Sequence, residues 1–200
     1  WGFRHFGTEE GLTNLSTTAM AQDPEGFLWV GTEDGLFRLE GNHFHHFSEE
    51  DGLPTSRIES GGLAPGLRHG LWVVTSRGLV FWDGRRFLHP ASLGLKGLDA
   101  KTGVALPQGG AVLSDHDHQT RYLSLDGEPF QPLTGLPWGD GLTAATGSAD
   151  GRTLVCALTR DLWVRRDGVW AHRDLAWELA EDIQALWIDG SGCIWIRSAE

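Results

Sequence analysis

The 200-residue chain has 28 glycines, ten tryptophans and a single tyrosine, with glycine at about twice its usual ~7% share. A hydrophobic fraction of 40% and a charged fraction of 22% belong to a chain that folds around a core, not to a disordered one. The formal net charge of −11 repels phosphate, which excludes a nucleic-acid partner and an electrostatic dock on anionic lipid.

No run reaches the ~18 apolar residues of a membrane span. The chain opens on Trp1 with no signal-peptide pattern, which reads as a processed or excised piece. Any membrane link is expected through segments outside this sequence.

In chain order, Phe3–Phe6 is a short aromatic stretch before Glu9-Glu10-Gly11-Leu12. Ser16–Gln22 is a half-apolar run, and Asp23-Pro24-Glu25-Gly26 is a turn. Proline presets φ there, Gly26 supplies a positive φ, and the aspartate accepts a turn N–H. Phe27–Thr32 is rich in aromatic and branched residues and predicts a strand. A turn ending at Gly35 leads to a strand over Leu36–Leu39, a hairpin turn at Glu40-Gly41-Asn42, and a last strand over His43–Phe47.

This unit recurs. Trp29 to Trp72, Gly35 to Gly78 and Gly41 to Gly84 are each 43 residues apart. Asp189-Gly-Ser-Gly192-Cys-Ile-Trp195-Ile copies Asp23-Pro-Glu-Gly26-Phe-Leu-Trp29-Val, and Phe44–Leu53 copies Phe3–Leu12 at an offset of 41. Four strands in a repeat of ~40–45 residues is the arithmetic of a β-propeller blade. The predicted fold is therefore all-β, with blades of four antiparallel strands at a step of about 42 residues. Residues 1–11 read as the last strand of a preceding or closing blade. Blades follow over 12–53, 54–97, 98–137 and 138–177, with a partial blade over 178–200. The copies over 98–177 keep the period but have lost most landmarks. Glu178–Leu186 could form two helical turns, but its register places it as the first strand of a blade. Trp29, Trp72 and Trp195 are expected as equivalent core residues between blades, and Gly26, Gly35, Gly78 and Gly192 as their turn glycines.

The stretch Phe3–Gly41, with its Gln22-Asp23…Gly26-Phe-Leu-Trp29-Val-Gly-Thr core and Gly35-Leu36, resembles the two-component regulator propeller repeat. Residues 1–54 match closely, Gly70–Gly84 match well, and Asp189–Ile196 recover the motif. The resemblance implies a fragment of a seven-bladed propeller. It also implies a periplasmic or extracellular sensor on the outer side of the inner membrane, with a histidine kinase or diguanylate cyclase output elsewhere. A homodimer of the full-length protein, and a small molecule or glycan as ligand, follow from the same resemblance. Two other readings carry less of the pattern. A propeller lyase resembling the streptogramin lyases lacks their characteristic strand here. A WD-type scaffold has only Trp82-Asp83, misplaced in a hairpin turn.

Chemistry-bearing motifs are sparse. His43 and His45 share one face of a strand, but two histidines need a third ligand to hold a metal. Asp115, His116 and His118 cluster at a predicted turn. Glu49, Glu50, Asp51 and Arg57 lie in a loop between blades, where propeller ligands tend to bind. The other inter-blade loops are Glu9–Asn14 and Gly94–Thr102. The acidic pairs repeat at one register, whereas a glycosidase dyad needs two different environments. No nucleophile elbow or phosphate loop is present. No catalytic residue, metal or cofactor is therefore expected. Cys156 and Cys193 fall at non-equivalent register, 37 residues apart, and are expected as buried thiols.

Overall fold

The computed structural model describes residues 3–66, 68–95, 102–106, 109–114, 121–124, 127–136, 142–148, 152–158, 161–175 and 182–198. The first sheet contains β1 (Thr17–Gln22), β2 (Leu28–Thr32), β3 (Gly35–Glu40) and β4 (His43–Phe47). The second contains β5 (Ile58–Pro65), β6 (Leu71–Thr75), β7 (Gly78–Trp82) and β8 (Phe87–Leu88). The third has β9 (Thr102–Ala105), β10 (Ala111–Ser114), β11 (Arg121–Ser124) and β12 (Gln131–Pro132). The fourth has β13 (Leu142–Gly147), β14 (Thr153–Leu158), β15 (Asp161–Arg166) and β16 (Val169–Asp174). A fifth sheet pairs β17 (Ile183–Ile188) with β18 (Ile194–Ser198). Each four-stranded sheet is an antiparallel meander in sequence order. Strand and not helix forms over 183–188, as the register requires.

Apolar side chains occupy both faces of the sheets, so each sheet has to be sandwiched. Trp29 is 0% exposed and packs in one cluster with Leu71, Val73, Val80 and Trp82 of the second sheet. Its ring meets Phe47 at 5.3 Å and Trp82 at 5.8 Å between centroids. Trp72, also 0% exposed, belongs to the cluster joining the second and third sheets.

Asp23 sets the position of Trp29. Its Oδ1 accepts the backbone N–H of Phe27 at 2.8 Å, and its Oδ2 accepts the indole N–H of Trp29 at 2.7 Å. The turn is closed by Asp23 N–H to Phe27 O at 3.0 Å and Gly26 N–H to Asp23 O at 2.9 Å, with Gly26 at φ +91°. The same backbone bracket recurs as Gly66 to Gly70, Leu106 to Gly110 and Asp189 to Cys193. In the fourth sheet it widens by one residue, as Ser148 to Thr153. Counted from these brackets, the residues equivalent to Trp29 are Trp72, Val112, Val155 and Trp195. The two valines are fully buried. The faded third and fourth repeats have thus kept the position and replaced the ring.

Trp195 departs from the expected core position. It is 64% exposed, and Trp187, its cross-strand partner, is 56% exposed. The face they share has no further sheet of this chain against it. The local geometry is nevertheless complete, because Asp189 Oδ2 accepts the Trp195 indole N–H at 2.9 Å and Oδ1 accepts the N–H of Cys193 at 3.1 Å. Gly192 sits at φ +84°, and Gly35 and Gly78 at φ +132° and +136°. In both of the latter turns a buried threonine hydroxyl donates to the glycine carbonyl: Thr32 to Gly35 at 2.9 Å and Thr75 to Gly78 at 2.8 Å.

Residues 3–7 form no strand, which corrects the expected strand over residues 1–11. No described strand lies beside them to pair with. They run against the first sheet instead, where Phe6 meets Phe44 edge-on at 5.7 Å and Arg4 donates to Asn42 at 2.9 Å. Phe6 also lies against the cluster of Leu12, Val30, Phe37 and Phe44.

Two predictions follow from the aspartate–tryptophan pair. Trp72 Nε1 is buried with no hydrogen-bond partner, and Gly66 stands where Asp23 stands. Gly66→Asp should supply the missing acceptor and stabilise the chain by about 1 kcal/mol, read as a higher thermal midpoint. A midpoint unchanged or lowered refutes the equivalence. The second prediction concerns Asp189, whose carboxyl is held down to about 2, first by the Ser191 hydroxyl and then by the Trp195 indole. Its folded value lies below the unfolded value of about 3.9. The bonds to the carboxylate are therefore present above that pH and lost as pH falls through about 2. The Trp195 indole N–H resonance should titrate with a midpoint near 2; one near about 3.9 refutes the pairing.

Candidate functional site: inter-blade turns and an axial cavity

Among the described residues three 3-10 turns lead towards the inner strand of a sheet, the second and third of them from the outer strand of the sheet before. They span Thr8–Glu10, Glu49–Asp51 and Pro90–Leu93, and each ends on a left-handed glycine: Gly11, Gly52 or Gly94. Each delivers a buried leucine, Leu12, Leu53 or Leu95, whose N–H closes the turn. Their acidic residues are engaged locally. Glu10 accepts the N–H of Gly7 at 2.8 Å, and Asp51 accepts that of Ser48 at 2.8 Å. Glu49 accepts the N–H of Ser56 at 3.0 Å, and the Ser56 carbonyl in turn accepts the N–H of Gly35 in the first sheet at 2.9 Å. Two of the four loop candidates thus tie backbone together. Glu50 and Arg57 are exposed, and Arg57 lies 4.0 Å from Glu33. Asp115, His116, His118 and most of the Gly94–Thr102 loop lie outside the described residues.

The histidines of β4 serve packing. Phe44 and Phe47 are buried while His43, His45 and His46 are exposed. His46 stacks on Phe37 with centroids 4.7 Å apart, and His45 lies edge-on to Phe47 at 4.6 Å. Among the described residues no three side chains of metal-ligating type converge. Cys156 is buried, but Cys193 is exposed. Cys193 belongs to the turn of the uncovered fifth sheet, so the expectation of two buried thiols is corrected for it.

The concave feature that the sequence reading missed lies on the inner strands. Residues of β1, β5, β9, β13 and β17 converge on one cavity of about 850 Å³. Four of these strands break register near their starts: between Thr17 and Ala19, between Ile58 and Leu63, between Leu142 and Ala144, and between Ile183 and Ala185. β9 pairs without a break over Thr102–Ala105. Bulges re-aim side chains and collect next to binding sites. The residues left over by the register breaks, Thr18, Glu59–Gly62, Thr143 and Gln184, all line the cavity. None of the four described loop candidates does. The available sequence signal was the small-residue pattern of Thr17-Thr-Ala-Met-Ala and Leu142-Thr-Ala-Ala-Thr, but a bulge leaves no mark that period-two counting can detect.

Asp51→Ala removes the side-chain acceptor that fixes the second turn. The expected cost is about 1 kcal/mol of stability in a thermal or urea melt. A stability equal to that of the parent would show that the carboxylate is available for another role.

Comparison with known proteins extends the geometry. Residues 11–34 match the family model described as two component regulator propeller. No curated protein matches the chain. Among solved structures, the extracellular domain of a protein assigned as a hybrid two component system of B. thetaiotaomicron superposes with a TM-score of 0.62 at 21% identity, covering 98% of this chain and 29% of that one. The extracellular domain of a protein assigned as a one component system of the same organism gives 0.64 at 16% identity, covering 92% and 26%. Virginiamycin B lyase from Staphylococcus aureus gives 0.64 at 11% identity, covering 91% and 63%. The chain thus spans less than two thirds of each of these structures. These likenesses are of fold: the chain is a β-propeller segment, and its residues 11–34 match the two component regulator propeller repeat.

Proposed function

We propose that this chain is the ligand-sensing part of an extracytoplasmic input domain in a membrane signal-transduction protein of the histidine kinase or diguanylate cyclase type. The observation that carries the reading is the family repeat over residues 11–34. It is supported by the likeness to extracellular domains of signalling systems across nearly the whole chain. No helix among the described residues is long and apolar enough to cross a membrane, so the reading assigns the span and the output domain to other parts of the protein.

In this reading the segment recognises and does not catalyse. Glu49 and Asp51 hold backbone N–H groups, whereas the axial cavity holds Thr18 Oγ1, buried without a hydrogen-bond partner. A small molecule or glycan bound there, or a contact between two copies of the full-length protein, would shift the blades relative to one another. The likeness to a lyase is of fold and brings no residue role with it.

Protease accessibility tests the placement. In cells with a permeabilised outer envelope, added protease should digest the propeller of the full-length protein while the output domain stays protected. Digestion only after lysis of the inner membrane refutes the extracytoplasmic reading. If the gene encodes no membrane span, the sensor reading itself fails.

A further inference from the structure

The cavity is chemically unlike the molecule around it. The chain carries a net charge of −11, yet the described lining holds one carboxylate, Glu59, and one guanidinium, Arg197. These two form no ion pair with each other or with any other described residue. Thr18 Oγ1 is buried with no hydrogen-bond partner, a costly state for a hydroxyl that nothing satisfies. Thr143 makes only a long contact of 3.4 Å to the Ala157 carbonyl. Between the polar groups the walls are aliphatic, with Ala19, Ala144 and Ala145 beside Met20, Leu142 and Leu186. Among the described residues no aromatic ring lines the cavity, although the chain has ten tryptophans and nine phenylalanines.

Each feature narrows the ligand. One unpaired charge of each sign suits a molecule that also carries one of each. A guanidinium takes a carboxylate in bidentate fashion, and a carboxylate takes an ammonium. A lining without aromatic rings gives a planar base or a sugar face nothing to stack on. Aliphatic walls suit small apolar side chains. Re-aimed hydroxyl and amide groups at three bulges, Thr18, Thr143 and Gln184, can bond a peptide group between the charged ends. A volume of about 850 Å³ falls within the usual range for small-ligand sites, roughly 300–1,000 Å³.

We propose that the bulged inner strands form a collar that binds a short zwitterionic peptide of small residues, its carboxylate on Arg197 and its ammonium on Glu59, with Thr18 bonding between them. This rests on the sensor reading only for its consequence in signalling; the binding belongs to the chain itself.

The test is titration calorimetry of the chain with alanyl-alanine and trialanine, each with free ends, N-acetylated, and C-amidated. Free peptides should bind, and blocking either end should abolish the heat. Glu59→Gln and Arg197→Gln should each weaken binding by about ten-fold or more, the loss expected for one charge-assisted hydrogen bond. Thr18→Val keeps the shape and should weaken binding several-fold without lowering the melting temperature. Absence of heat with both free peptides overturns the proposal. So does equal affinity for blocked and free peptides, or indifference to both charge variants. The two readings fail separately. A full-length protein that still responds to its inducer while the chain ignores these peptides overturns the collar and leaves the sensor. A chain that binds them within a protein lacking any membrane span keeps the collar and overturns the sensor.

Discussion

Burial of one second-strand side chain between neighbouring sheets is the constraint on which the rest of this molecule depends. A sheet with apolar residues on both faces cannot stand alone in water. At the centre of that contact, Trp29 lies between the first two sheets with no exposed surface. Its demands propagate outward. The indole N–H needs an acceptor, which places Asp23 six residues earlier in a tight turn. The ring needs partners across the interface, supplied by Phe47 and Trp82. Phe47 in turn obliges β4 to end in an aromatic residue just before the 3-10 turn that leads to the next sheet.

The repeats solve this one problem with different chemistry. In the first sheet Arg38, opposite Trp29, spreads its guanidinium over the rings of Phe27, Trp29, Phe47 and Trp82 at 4.8–5.9 Å and pairs with Glu40. The arginine bond holds the Glu40 carboxyl below its usual range. In the second sheet Phe81 stands opposite Trp72, with ring centroids 4.7 Å apart, and Gly66 replaces the aspartate. One interface is thus held by a charge, a carboxylate and several rings, and the next by the rings of Trp72, Phe81 and Phe130 among leucines and alanines. The third and fourth sheets use Val112 and Val155 with surrounding leucines and alanines. Bulk at the position is required, and its polarity is free to vary.

That freedom explains what could be read from the sequence. The first, second and fifth copies were legible because tryptophans and turn glycines recur in them at matching positions. Val112 and Val155 perform the same task and carry no such signature; only the recurring hydrogen-bond bracket of the preceding turn aligns them. Trp195 shows the opposite limit. Its motif was read correctly, but burial depends on a neighbour, and a motif cannot report whether that neighbour is present. The candidate site was harder still. Acidic loop residues such as Glu49 and Asp51 are conspicuous in sequence, yet they hold backbone. Thr18, Thr143 and Gln184 look like ordinary strand residues until the register breaks that re-aim them are seen in pairing.

The Asp189–Trp195 bond bears on the order of assembly. It forms within a span of seven residues, on a face where Trp187 and Trp195 stay exposed among the described residues. Its geometry is therefore written locally and does not await docking of the next sheet. Contacts of such short sequence separation form early in folding and at little entropic cost. A growing propeller of this type can thus present Trp29 and Trp195 already oriented, so that the first and fifth sheets are ready to receive a neighbour. Folding can then advance from one repeat to the next without searching for long-range partners, as expected of a chain whose stability is a sum over neighbours.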